Sequence, residues 1–245
     1  MKIALFSDIH ANLPAFEAML RDMDSQKPDA VYCLGDLVGY HIYPNEIIDE
    51  IRRRGIPTLK GNHDEKVENI ITTSESLNEA GRKHAYHLIR DDNRAYLNTL
   101  PAHIRLEYKM NGEKLNLVFA HGSTRKIDEY ILIDTDEKYV LDLLEEADAD
   151  FLFVGHSHKP YHRILKVYDG TFKHIVNLGS VGKPKDGDPR GCYVLLTLNK
   201  DTSATDCYSL KIEFRRVEYD VEASAQSIEK SMLPHELAQA LRDAK

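Results

Sequence analysis

Short apolar runs alternate along the chain with stretches whose apolar residues recur at helical spacing. Lys2–Phe6 predicts a strand, and residues 14–23 carry the 3.6-residue periodicity of a helix. Residues 30–34 predict the next strand, residues 45–54 a helix ended by Gly55, and residues 57–60 the start of a third strand. This strand–helix alternation implies a parallel sheet with crossover helices. After Asp64 the rhythm stops. Residues 65–100 are polar, show helical stretches at 78–90 and 92–99 but no strand, and predict a helical insertion lying over a sheet edge or over a site.

Strands resume at 103–109 and 114–120, joined by a turn carrying Asn111-Gly112, a pair suited to a tight hairpin. A helix over 137–147 leads to a strand over Phe151–Val154. A second hairpin follows, 163–168 and 171–178 around Asp169-Gly170, and strands at 193–198 and 210–217 close the sheet region. The tail, 221–241, is rich in helix formers and broken at Pro234. The simplest organisation is one domain over residues 1–220, with the insertion at about 65–100, and a helical tail over 221–245 packed on the same domain.

Composition narrows the class. With 245 residues and 42% hydrophobic side chains the chain can bury a substantial core. The net charge of −8 argues against a broad nucleic-acid or anionic-membrane surface, because those are built from excess Lys and Arg. No run is long enough to span a bilayer, and the N-terminal apolar run is too short and too soon charged for a signal peptide. The three cysteines, Cys33, Cys192 and Cys207, have no close pairing, and Cys33 and Cys192 sit in apolar runs as expected of buried, reduced thiols. These features together predict a cytoplasmic protein.

The chemistry-bearing residues gather just past strand ends. They are Asp8 and His10; Gly35-Asp36; Gly61-Asn62-His63-Asp64; His121; and Gly155-His156-Ser157-His158. In open α/β sheets ligands bind beyond the carboxyl ends of the strands, so five segments aim polar groups at one rim. Each motif alone has an ordinary structural explanation as a turn or a helix cap. Gly-His-Ser-His after an apolar strand is the most specific, since two histidines at i and i+2 have little packing reason to be there. Asp, Asn and His without thiolate favour Mn²⁺, Fe or Zn²⁺ (Ni²⁺ also fits) over soft ions, and the imidazoles disfavour an all-Mg²⁺ or Ca²⁺ site. Two aspartates, one asparagine and four histidines exceed the needs of one ion. They suit two ions roughly 3.5–4 Å apart with one carboxylate shared.

The motifs Ser7-Asp8-Ile9-His10, Gly35-Asp36, Gly61-Asn62-His63-Asp64, Ala120-His121-Gly122 and Gly155-His156-Ser157-His158 resemble those of the calcineurin-like metallophosphoesterases, covering residues 1 to about 160. Asn177-Leu178-Gly179-Ser180-Val181-Gly182 is similar to the small bacterial and archaeal members and extends the match to about residue 195. The resemblance implies an α/β fold, a four-layer α-β-β-α sandwich of two mixed β-sheets flanked by helices. It implies one divalent ion on Asp8, His10, Asp36 and His158, and a second on Asp36, Asn62, His121 and His156, with Mn²⁺ the first candidate. A hydroxide held between the ions would attack phosphorus, and His63 would protonate the leaving oxygen. His63 and Asp36 are thus the catalytic residues that the resemblance implies.

The serine/threonine protein phosphatase branch carries Asp-Arg-Gly shortly after Gly-Asp, where this chain has Gly39-Tyr40-His41. The aspartate that would support the acid histidine is Gly39, and the phosphate-binding arginine is Tyr40. Without that bidentate clamp the expectation tilts from phosphoproteins towards small phosphodiesters or nucleotides, though Arg125, Lys159, Lys183, Lys185 or Arg190 could return charge from another loop. Tyr40 and Arg190 are the expected substrate-facing residues. His41 is expected as an exposed loop residue near the rim. His84, His87, His103, His162, His174 and His235 are expected to be surface or structural residues, and Asp64 either orients His63 or caps a helix. The partner is a small phosphate ester rather than extended nucleic acid or a membrane, and a homo-oligomer is compatible. Phosphomonoesterase and nuclease activities, and a non-catalytic scaffold on the same fold, are the competing readings.

Overall fold

Alternation of side chains along the central strands builds three apolar layers, and these layers stack two sheets between helices in the computed structural model, which describes every residue except Ser74. In β1 (Lys2–Phe6), Ala4 and Phe6 face one core while Ile3 and Leu5 face another. The first core is closed by the apolar stripe of α1 (Leu13–Gln26) and by α2 (Pro44–Arg54). The second lies between the sheets, where Ile3 and Leu5 meet Leu117, Phe119, Phe151 and Phe153. The third uses the opposite faces of the second sheet, Val118, Leu152, Val154 and Ile175, against Val140, Leu143 and Leu144 of α6 (Glu137–Glu146). A period of two along each strand is what lets one sheet serve two cores.

The first sheet has β2 (Ala30–Cys33) parallel to β1, with Ile3 opposite Ala30 and Phe6 opposite Cys33. On the other side of β1, β8 (Gly191–Thr197) runs antiparallel and is followed by β9 (Lys211–Val217). The second sheet has five strands, β3 (His103–Met110), β4 (Glu113–Ala120), β5 (Phe151–Val154), β7 (Phe172–Asn177) and β6 (Tyr161–Lys166), in that spatial order. β4, β5 and β7 are parallel, and the edges are antiparallel hairpins. This is the four-layer α-β-β-α sandwich of two mixed sheets. In the β3–β4 turn Asn111 and Gly112 both take positive φ, 49° and 78°, as the Asn-Gly signal requires.

Two expectations change. Residues 57–60 form no strand. Thr58 makes a single parallel bridge to Cys33, Pro57 has no N–H to give, and Lys60 N–H already donates to the carbonyl of Pro101. The insertion is less helical than its composition implies. Within 78–90 only α4 (His84–His87) is α-helical, and α5 (Asp91–Asn98) follows it. Gly81, at φ 139°, breaks the segment, and its N–H bonds the carbonyl of Met232. Arg94 then takes carbonyls a helix would have used, donating to Ile70 (3.1 Å), Ile89 (3.0 Å) and Tyr86.

The tail forms α7 (Val221–Glu229) and α8 (Glu236–Arg242), which bury Ala225, Ile228, Leu237 and Leu241 against Ala85 of α4 and against Tyr40 and Ile42. Cys33 and Cys192 are buried and unpaired. Among the described residues no helix is long and apolar enough to cross a membrane. Phe153 is fully buried between the sheets, so Phe153→Ala is expected to cost about 3–5 kcal/mol. A urea titration that left the unfolding midpoint unchanged would contradict this assignment of the core.

Candidate metal centre

Each segment at one rim hands its chain into a tight turn, glycine-flanked in every case but the one after β1. β1 delivers Asp8 and His10, β2 delivers Asp36, the Thr58 bridge delivers Asn62 and His63, β4 delivers His121, and β5 delivers His156 and His158. Asp8, His10, Asp36, His156 and His158 all sit in the left-handed region, with φ between 52° and 62°. Non-glycine residues seldom adopt it, and its concentration here marks a site that the surrounding structure over-determines. Asp8 N–H bonds the carbonyl of Gly35, and His10 N–H that of Asp36, each at 3.0 Å. Gly61 lies against Asp36 so closely that a Cβ there would meet Asp36 Oδ1 at 2.1 Å.

The structure decides the role of Asp64. Its carboxylate accepts the N–H groups of Asp36 (2.8 Å), Leu37 (3.0 Å) and Gly61 (2.9 Å). It therefore caps α3 (Asn62–Lys66) and pins the Asp36 turn; it does not hold the ring of His63. Burial and the nearby Asp36 charge push its carboxyl up to about 7.

Two groups of potential ligands result. Asp8, His10, Asp36 and His158 offer atoms within 4.8 Å of one another, and so do Asp36, His121 and His156. Asp36 belongs to both. The donor orientation fits a cation. His10, His121 and His158 donate their Nδ1–H to the main-chain carbonyls of Val38 (2.9 Å), Leu34 (2.7 Å) and Lys183 (2.5 Å). That fixes each tautomer and leaves each Nε2 lone pair facing the cluster. His10 Nε2 and His158 Nε2 lie 3.1 Å apart, and Asp8 Oδ1 is buried with no hydrogen bond. The Asn62 side-chain amide lies within 3.0 Å of His156 Nδ1, 3.1 Å of Asp36 Oδ2 and 3.2 Å of His121 Nε2, which places it in the second group. Lone pairs converging on lone pairs are costly unless a cation lies between them.

The fields agree. Burial raises Asp36, but His121, His63 and His10 outweigh it and hold the carboxyl below the usual range. Asp8 is likewise raised by burial and lowered further by His158 and His10. Burial opposes charge on His121, yet Asp36 beside it pushes the ring up to about 10, so without a metal ion a proton takes a cation's place on its Nε2.

His63 stands next to the ligands rather than among them. Its N–H donates to Asp36 Oδ1 (2.8 Å), and its ring packs edge-on to His10. The hydroxyl of Tyr86, in α4, lies 2.6 Å from His63 Nδ1. A hydroxyl can donate to a bare ring nitrogen or accept from its N–H, so it serves either charge state. Gly39 makes the space, since a Cβ there would come 2.4 Å from His63 Nδ1. Burial lowers the ring to about 3, against the pull of Asp36.

Tyr40 is at the site, its ring centroid 4.7 Å from those of both His10 and His63. Arg190 is not brought into the cluster; its guanidinium is engaged by Asp188 at 2.7 Å. His41 is neither exposed nor at the rim. It is buried, its Nδ1–H donates to the carbonyl of His10 (2.9 Å), and burial lowers it to about 3. His84, His87 and His174 are buried away from the ligands, and His174 pairs with His162 at 2.9 Å. The residues that sequence reasoning missed are Tyr86 and Tyr130, whose half-exposed ring lies 4.2 Å from that of His156. Neither belongs to a motif. For Tyr86 the only signal was the expectation that the insertion covers a site, and Tyr130, outside the insertion, had none.

Gly61→Ala is expected to displace Asp36 and lower Mn²⁺ affinity at least about tenfold, while the far-UV circular dichroism stays native. Unchanged affinity by calorimetry would show that the contact is not limiting.

The calcineurin-like phosphoesterase superfamily domain matches residues 1–201. An uncharacterised protein of Methanocaldococcus jannaschii is 34% identical over 257 aligned positions, spanning 98% of this chain and 96% of that one. The crystal structure of a metallophosphoesterase from Sphaerobacter thermophilus superposes with a TM-score of 0.79 at 27% identity, covering 100% of this chain and 99% of the other. That of a hypothetical protein from Pyrococcus horikoshii OT3 superposes at 0.76 with 22% identity, covering 100% and 98%, and shows the fold alone. The chain therefore belongs to the calcineurin-like phosphoesterase superfamily, and the divalent-metal chemistry of that family falls on its buried Asp–His cluster.

Proposed function

We propose that the protein is a dinuclear metal-dependent hydrolase of small phosphate esters. The observation that carries this reading is the sharing of Asp36 between two ligand groups, one of which brings two imidazole nitrogens within 3.1 Å of each other. When bound, two divalent ions supply Lewis acidity, making water a nucleophile near neutral pH and offsetting charge on phosphoryl oxygens. Asp8, His10 and His158 would hold one, Asn62, His121 and His156 the other, and Mn²⁺ suits this donor set.

His63 is the general acid for the leaving oxygen. Its Nε2 has no protein partner among the described residues, and Tyr86 fixes the ring from the Nδ1 side. In the substrate-free site burial keeps the ring neutral. An arriving anionic phosphoryl group adds negative charge beside it and favours the protonated, donating form. Tyr86 thereby takes the supporting place that an aspartate at position 39 fills in protein phosphatases, which weighs against phosphoproteins as substrates. The diester preference expected from Tyr40 rests on a missing positive charge, and Lys183 and Lys185 over that ring return it.

Purified protein with added Mn²⁺ is expected to hydrolyse bis(p-nitrophenyl) phosphate, and Asp36→Asn or exhaustive chelation to abolish turnover. Full activity in either case would sink the mechanism. His63→Ala is expected to slow a dinucleoside phosphate, whose alkoxide must be protonated, by about 10²-fold or more, and bis(p-nitrophenyl) phosphate far less. Tyr86→Phe is expected to shift the same ratio in the same direction with metal content unchanged. Equal losses on both esters would remove the acid role.

A further inference from the structure

The loop after β7 carries two ammonium groups that no Asp or Glu pairs among the described residues. Lys183 Nζ lies 5.1 Å, and Lys185 Nζ 5.9 Å, from the centroid of the Tyr40 ring. That ring rests against His10 and His63, so it links the loop that carries both cations to the metal ligands and the acid. Their main chain is tied to the same group. The Lys183 carbonyl accepts from His158 Nδ1–H (2.5 Å), and Lys185 N–H donates to the carbonyl of His158 (3.3 Å).

The acids of this loop are already occupied: Asp186 binds Arg216 and Asp188 binds Arg190. Lys183 is buried and already holds the terminal oxygen of Lys245 (2.7 Å), so Lys185 is the freer of the two. Lys185 has no ion pair or side-chain hydrogen bond among the described residues, and the charges it feels most are Asp8 and Asp36. Burial lowers both amines, Lys183 to about 8, and each is lowered further by other cations nearby. Once Asp8 and Asp36 are neutralised by bound cations, the Lys185 ammonium has no carboxylate to balance it. A long lysine normally carries its ammonium to water. One buried and one half-buried ammonium over a single ring call for an anion.

We infer that Lys183 and Lys185, seated on Tyr40, form a phosphoryl-binding subsite that selects dianionic groups, namely phosphate monoesters or terminal phosphates, over monoanionic diesters. The inference rests on the phosphoester-hydrolase reading for its use in turnover. It replaces the arginine absent at position 40 with charge from a different loop. Two point charges would favour the dianion, whose oxygens can satisfy both ammonium groups, while a diester leaves one of them short.

The test compares orthophosphate, at a pH where it is mostly dianionic, with dimethyl phosphate as ligands of the Mn²⁺-loaded full chain by calorimetry. Lys185→Ala is expected to weaken orthophosphate about tenfold or more beyond its effect on dimethyl phosphate, the loss of one charge-assisted hydrogen bond. The ratio of kcat/KM for p-nitrophenyl phosphate to that for bis(p-nitrophenyl) phosphate should fall by a similar factor, and Lys185→Arg should restore most of it. Lys185→Met keeps the apolar stem, and should reproduce the loss if Lys185→Ala disturbs the loop. Equal weakening of both ligands, or unchanged orthophosphate affinity in both Lys185→Ala and Lys185→Met, overturns the subsite. If wild-type protein hydrolyses neither ester yet its orthophosphate selectivity still depends on Lys185, the subsite stands and the hydrolase reading falls.

Discussion

The geometry of this site depends on the placement of one carboxylate. Asp36 is the residue common to both ligand groups, and its position is set by contacts that leave it little freedom. Asp64 grips the N–H groups of Asp36 and Leu37 from below, and Gly61 presses on it from the side. His63 N–H binds one of its oxygens, while His10 and His121 approach the other at 3.6 and 3.4 Å. Burying this carboxylate, and Asp64 with it, is unfavourable for a chain with nothing to pair them. The surrounding imidazoles and main-chain donors are the compensation, and a cation between the facing lone pairs would add to it. Five ligands in left-handed backbone conformations fit the same picture, with local strain concentrated where function fixes the geometry.

The rest of the molecule holds that arrangement. The two sheets bring their strand ends to one rim because β1 and β2 in the first sheet and β4 and β5 in the second all run towards it. The interior layer of Ile3, Leu5, Phe119 and Phe153 locks the sheets together just behind the ligands. The insertion and the tail then pack on each other, through Ala85 and the α7–α8 helices, and support Tyr40 and Tyr86 from outside. A segment of little regular structure thus supplies the group that orients His63, while an otherwise conventional sandwich supplies the ligands.

Much of this was legible in the sequence. Ligand-type side chains directly after apolar runs are a local signal, and the apolar runs located most of the strands, while their stacking as two sheets was implied by the family resemblance. What was illegible depends on distant packing. Tyr86 comes to His63 only because Gly39 leaves room and Arg94 folds the insertion around its own guanidinium. Lys183 and Lys185 come to Tyr40 through main-chain bonds to His158, which no spacing encodes. His41 looked like a rim residue and is buried instead, because its ring caps the carbonyl of His10. The expected strand at 57–60 is one bridge, since Gly61 must turn away at once to reach Asp36.

The central claim is that Asp36 stands between two cations. Crystals grown with Mn²⁺ and measured at the manganese absorption edge would test it most directly. The account predicts two anomalous peaks roughly 3.5–4 Å apart, both in contact with the Asp36 carboxylate. A single peak, or two peaks of which only one touches Asp36, would contradict it.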